Sequence, residues 1–150
     1  MYLEFKRFQQ EHFDEYVTWF MDPELNRLLG PMDQAWLEAV LAQHESKGVT
    51  WSVFRNTELV AVVETAFDPQ HHHPPVITAI ATKPALRRQG IGSAVLKKIL
   101  SIHKRRGYVE HNAYVSIHNP AGLCLVEKAG FVPITSQPDE HGYIEFRHHQ

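Results

Sequence analysis

Residues Arg87-Arg88-Gln89-Gly90-Ile91-Gly92-Ser93 lie between a β-rich run and a strongly amphipathic one, and their types suit a bound polyanion. A helix N-terminus offers unpaired N–H groups and about half a positive charge, and glycines let a phosphate reach the backbone with no Cβ in the way. Two arginines add fixed charge beside it. A bare GxG also serves a plain tight turn, so the letters alone leave both readings open. The continuation Ser93-Ala94-Val95 lacks the third glycine of a dinucleotide fingerprint, and the chain holds no GxxxxGK[ST] pattern.

Other residues carry chemistry more diffusely. Glu64 ends the apolar run Leu59-Val60-Ala61-Val62-Val63, where burial would raise its pKa toward neutrality, unless it faces outward from a strand. His118 titrates in a useful range but is one of 11 histidines. The run His71-His72-His73 sits in a proline-bounded polar connector and reads as loop, so no metal site is expected. Cys124 is the single cysteine, which excludes a disulfide framework and paired-cysteine zinc; inert packing is its expected role.

These residues need elements to position them. Leu3 to Phe8 alternates as a strand, and Gln10 to Phe20 puts Phe13, Tyr16, Val17 and Phe20 at helical spacing. Asp22-Pro23 and Asp33 start two further helices, the second with Trp36, Leu37, Val40, Leu41 and His44 inward until Gly48. Thr50 to Phe54 and Glu58 to Phe67 make a hairpin, and Pro75 to Thr82 a third strand. A helix from Ile91 to His103 closes at Arg105-Arg106-Gly107. Tyr108 to Ile117 is again a strand, Asn119-Pro120 opens a helix to about Ala129, and Phe131–Ile134 with Tyr143–Arg147 form a closing hairpin. Three successive strands without helical crossovers favour a mixed, mostly antiparallel α/β (α+β) sheet of six to seven strands, flanked by helices, in one domain over 1–150.

Bulk properties narrow the classes. A length of 150 residues with 43% hydrophobic content supports one ordinary globular core. A net charge of −2 gives no global attraction to nucleic acid or to anionic membranes, so an anion site has to be local. No 18-residue apolar run occurs, and the expected setting is soluble, cytoplasmic and reducing.

The segment from Arg87 to Gly92, preceded by a strand and Pro84, resembles motif A of the GNAT acetyltransferase superfamily, whose [R/Q]xxGx[G/A] pattern is met by Arg87, Gly90 and Gly92. Downstream, Asn119-Pro120-Ala121 and Glu127-Lys128-Ala129-Gly130-Phe131 are similar to its motif B at the family's spacing. The resemblance implies acetyl-CoA as cosubstrate, an amine acceptor, and a cleft between two splayed strands, Pro75–Thr82 and Tyr108–Ile117. Backbone groups of Ile80, Ala81 and Thr82 would hold the pantetheine arm and Asn119 would reach it. Arg87, Arg88, Gln89, Gly90, Ile91, Gly92 and Ser93 would hold the pyrophosphate. The resemblance is also compatible with a homodimer.

What it implies for catalysis is direct attack by the amine, with a base to take its proton and an acid for the departing thiolate. Many family members place a tyrosine just before the Glu-Lys of motif B, where this chain has Val126. Tyr114 and Tyr143 are the substitutes for the acid, and Glu64 leads His118 as base. Trp19, Phe20, Trp36 and Trp51 line either an acceptor pocket or the core. A CoA-binding module without turnover is the alternative reading, motivated by Val126.

Overall fold

The computed structural model describes all residues 1–150. Its frame is a seven-stranded sheet in the order β1-β2-β3-β4-β5-β7-β6. The strands are β1 (Glu4–Arg7), β2 (Gly48–Arg55), β3 (Glu58–Ala66), β4 (Val76–Thr82), β5 (Glu110–Ser116), β6 (Val132–Pro133) and β7 (Tyr143–His149). Every neighbouring pair is antiparallel except β4 with β5. The helices are α1 (Gln10–Thr18), α2 (Pro23–Leu29), α3 (Gln34–Ala42), α4 (Ile91–Arg105) and α5 (Pro120–Lys128).

Local chemistry starts these helices where the sequence indicates. Asp22, Asp33 and Asn119 each cap a helix by accepting the backbone N–H three residues on, at 3.0 Å. Gly107, with φ +92°, turns the chain out of α4. The sequence reading overextends α3, however. The helix stops at Ala42, and Gly48 opens β2 instead of ending a helix. His44 therefore lies beyond the helix, bonded to Ser46 at 2.8 Å. β6 shrinks to two residues because Val132 and Pro133 stand at the exposed sheet edge, where proline cannot extend the ladder.

The two faces of the sheet are filled differently. One face packs on α4 and α5 through Val53, Val63, Ile77, Val95, Ile99, Val126, Phe146 and their neighbours. The other packs on the first three helices through Phe8, Tyr16, Trp19, Leu25, Leu37, Val62 and Ala81. Each fully buried branched or aromatic side chain contributes roughly 1.5–3 kcal/mol, which holds both layers to the sheet. Trp19 is buried in that second core, and Phe20 and Trp36 pack against it; Trp51 packs on the first. The aromatic residues thus build cores. His103 and His111 are also buried, joined Nδ1 to Nε2 at 2.8 Å, and burial holds both neutral.

Candidate active site

The ladder between β4 and β5 is short. Only Val76↔Asn112 and Ile77↔Ala113 pair, after which the two strands part toward their C-terminal ends. A bulge contributes to the divergence: Glu64 pairs Ala79 and Thr65 pairs Ile77, leaving Thr78 between them. The open edge of β4 has a readable polarity. Lys83 N–H donates to the Val60 carbonyl at 2.9 Å, and successive residues of an antiparallel strand turn their N–H and C=O to alternate sides. Ala81 therefore turns its backbone groups to β3, whereas Ile80 and Thr82 turn theirs into the cleft. Of the three residues that sequence similarity assigns to the pantetheine arm, two turn their backbone groups toward the cleft.

Beyond β4, the chain passes through Arg87-Arg88-Gln89 into α4. Arg88 and Gly90 both take left-handed conformations, with φ 65° and 77°. Every backbone N–H from Arg88 through Ser93 donates to no other group of the protein. Gly90 caps the helix, and a Cβ there would meet no atom within 4 Å. A Cβ at Gly92 would make ordinary contact with Leu125 at 3.6 Å, so glycine or alanine fits that position equally. The row of free donors at the head of the 15-residue α4 suits a pyrophosphate.

Arg87 has a different partner. Its guanidinium makes a two-pronged ion pair with Asp22, at 3.1 and 2.6 Å. Arg87 together with the Leu25 N–H holds the Asp22 carboxyl down to about 2. The arginine thus fastens the loop to the start of α2, and Arg88 is the free cation beside the row of donors. Asn119 spends its side-chain oxygen on the Gly122 N–H, and its amide nitrogen has no partner in the protein. Val126, at the position where many family members carry a tyrosine, is buried in the core. Cys124 is exposed, contrary to the expected burial, because Val126 takes the inward position on α5.

The opposite face of the cleft gathers side chains. Register partners share a face, so Glu64 and Ala79 lie on the side of the first three helices, as do Asn112, Tyr114, Ser116, Tyr143, Glu145 and Arg147. The three catalytic candidates Glu64, Tyr114 and Tyr143 therefore look to one side. Glu64 is half-buried, and its Oε1 accepts from the Trp36 indole N–H at 3.3 Å. Burial pushes its carboxyl above the ordinary range, partly offset by that hydrogen bond. Tyr114 is 46% exposed and donates its phenol O–H to Glu145 Oε2 at 3.2 Å. Partial desolvation and the Glu145 charge raise its pKa, so it keeps its proton at neutral pH. Tyr143 stands at the far end of the β5–β7 ladder opposite Ser116, and its phenol has no partner in the protein. His118 is exposed in the loop after β5 and faces none of these groups.

A cleft of about 550 Å³ opens on this face at the paired end of β4 and β5, lined by Val76, Asn112, Tyr114, Glu145 and Arg147 and by the β3–β4 connector; neither Glu64 nor Tyr143 lines it. Sequence reasoning missed Asn112, Glu145 and Arg147. Their only sequence signal is strand alternation, which puts Glu145 and Arg147 on one side of β7; that Asn112 and Tyr114 lie opposite them follows only from the β5–β7 register.

The sequence model of the acetyltransferase (GNAT) family matches residues 5–145. The chain belongs to the GNAT acetyltransferase family. Solved GNAT structures share its fold at low identity. The ribosomal-protein-S18-alanine N-acetyltransferase of Escherichia coli is 19% identical, with 99% of this chain and 94% of that one covered and a TM-score of 0.73. The PaiA N-acetyltransferase of Thermoplasma acidophilum, solved with coenzyme A, is 15% identical with both chains fully covered and a TM-score of 0.75. An aminoglycoside acetyltransferase, also solved with coenzyme A, is 12% identical, with 99% and 95% covered and a TM-score of 0.80. No curated protein matches in sequence. Members of this GNAT family are acyltransferases that use acetyl-CoA, and no helix here is long and apolar enough to cross a membrane. The acceptors named for these neighbours differ widely, so the fold does not select one.

Proposed function

We propose that this GNAT chain, acting as one domain, transfers an acetyl group from acetyl-CoA to a primary amine, on a small molecule or a protein N-terminus, by direct attack in the β4–β5 cleft. The observation that carries the reading is the unbroken row of unpartnered N–H groups from Arg88 to Ser93, at the mouth of a cleft whose other face holds Glu64 and Tyr114. Acetyl-CoA supplies an acyl carbon on a thiolate leaving group, so that a C–N bond forms as the C–S bond breaks.

Each residue then has a defined task. The N–H row with Arg88 holds the pyrophosphate, while Ile80 and Thr82 orient the arm and aim donors at the oxygen on which charge develops. Glu64, with its raised pKa, takes the amine's proton through water under the Trp36 indole. Tyr114 turns its single phenol proton from Glu145 to the leaving sulfur, with Tyr143, whose phenol is unpaired, as the alternative donor farther along the same face. Because partial desolvation and the Glu145 charge raise the Tyr114 pKa, the phenol works mainly as a hydrogen-bond donor to the thiolate.

Buried Val126 favours the second reading, a CoA-binding module without turnover. Thiol release from acetyl-CoA, followed across a panel of primary amines, separates the two. Amine-dependent release supports the transferase; acetyl-CoA binding with no release for any amine supports the module.

A further inference from the structure

The cleft beside β5 and β7 carries recognition chemistry that acyl transfer itself does not require. Asn112, only 5% exposed, donates its Nδ2 to Glu145 Oε2 at 3.2 Å and accepts from Arg147 Nε at 2.9 Å on its Oδ1. Tyr114 donates to the same Glu145 oxygen. Both charged side chains are thereby held by one buried amide. Yet Glu145 Oε1 and the terminal nitrogens of Arg147 have no partner in the protein, and Arg147 forms no ion pair with any carboxylate. A fixed anion and a fixed cation thus stand two residues apart on one face of β7, roughly 7 Å apart along the strand.

The remaining titratable groups facing this cleft do not neutralise that pair. Asp68 accepts from the backbone N–H groups of Gln70, His72 and His73 at 3.0 to 3.1 Å, so its carboxylate serves its own loop. His73 lies exposed at the rim. The volume of about 550 Å³ falls within the range of small-molecule sites.

We propose that the acceptor is a small free amino acid, its ammonium group received by Glu145 and its carboxylate by the guanidinium of Arg147. The assignment rests on the transferase reading for its consequence but not for its test. A planar guanidinium with two free nitrogens matches a carboxylate in two-pronged fashion. Tyr114, bonded to Glu145, would then stand beside the bound amine. Glu145 and Arg147 are positioning residues in this scheme, setting which amine reaches the cleft.

Two readouts test the proposal. Calorimetric titration of the protein, alone and saturated with CoA, compares the proteinogenic amino acids with their carboxamides, and acetylation rates are followed for the same set. At least one amino acid should bind roughly tenfold or more tighter than its amide, the discrimination expected when a charge-assisted pair is lost. In Arg147→Gln that ratio should fall toward one through KM, and Arg147→Lys should restore part of it. Acetyl-CoA affinity reports that each variant is folded. Equal binding of acid and amide, absence of amino-acid binding, or a clear preference for peptide N-termini would each overturn the proposal. Binding of an amino acid without its acetylation would keep this assignment and remove the transferase reading, so the two can fail separately.

Discussion

The loop from Arg88 to Ser93 and the face formed by β5 and β7 offer opposite means of holding a ligand. The loop works through backbone: consecutive N–H groups, two left-handed residues and a helix start, all within one short stretch of chain. The face works through side chains, with Asn112, Tyr114, Glu145 and Arg147 brought together from strands separated by more than a helix and a loop. A backbone site tolerates many side chains provided the conformation is kept. A side-chain site can be rewritten one residue at a time, which suits a fold whose neighbours share a cofactor but act on different amines.

Substitutions that separate the two regions follow from this contrast. The largest effect is expected for Gly90→Asp, which sets a carboxylate against the pyrophosphate. Acetyl-CoA affinity should fall at least about a hundredfold by calorimetry. An affinity within threefold of the wild type would mean the N–H row is not the phosphate site. On the other face, Tyr114→Phe should lower kcat roughly a hundredfold while acetyl-CoA affinity moves little. If only Tyr143→Phe produced that loss, the acid would move along the strand to Tyr143.

Glu64→Gln is expected to lower kcat about tenfold and to remove the acid limb of the kcat/KM profile, since a base with a raised pKa is lost. Stability moves the other way. The folded carboxyl titrates above the unfolded value of 4.5, so its stabilising contribution is complete below that pH and disappears as pH rises through the folded pKa. The glutamine variant should therefore melt at higher temperature at pH 7 and gain less at pH 4. An unchanged melting difference between the two pH values would place Glu64 in solvent. The smallest effect belongs to Gly90→Ala. No atom lies within 4 Å of the new Cβ, so only the φ of 77° opposes it, a cost of about 1 kcal/mol and a loss of acetyl-CoA affinity of about fivefold. A loss as large as that of the aspartate would show that the loop conformation, not charge, dominates binding.

The same contrast explains what could be read from sequence. Asp22, Asp33 and Asn119 announce their helices, and the loop between Thr82 and Ile91 is legible because its donors are consecutive residues. Glu64 could be singled out because it breaks an apolar run. Glu145 could not, because nothing adjacent marks it; its role exists only once the β5–β7 register sets it opposite Tyr114. Arg87 has a partner hidden from the sequence for a related reason. The motif gives it to the phosphate, and in the structure it also pairs with Asp22, 65 residues earlier in the chain. Cys124 is exposed where packing was expected, because the rotation of α5, which a short helix does not reveal, turns Val126 inward.

On this reading the backbone from Arg88 to Ser93 receives the pyrophosphate of acetyl-CoA. An NMR titration of the isotopically labelled protein with acetyl-CoA tests it directly, because those amides report on themselves. The amide signals of Arg88 through Ser93 should shift most, together with those of Ile80 and Thr82, and should saturate at one equivalent. Saturation with these amides unmoved, or no saturable change at all, would contradict the account.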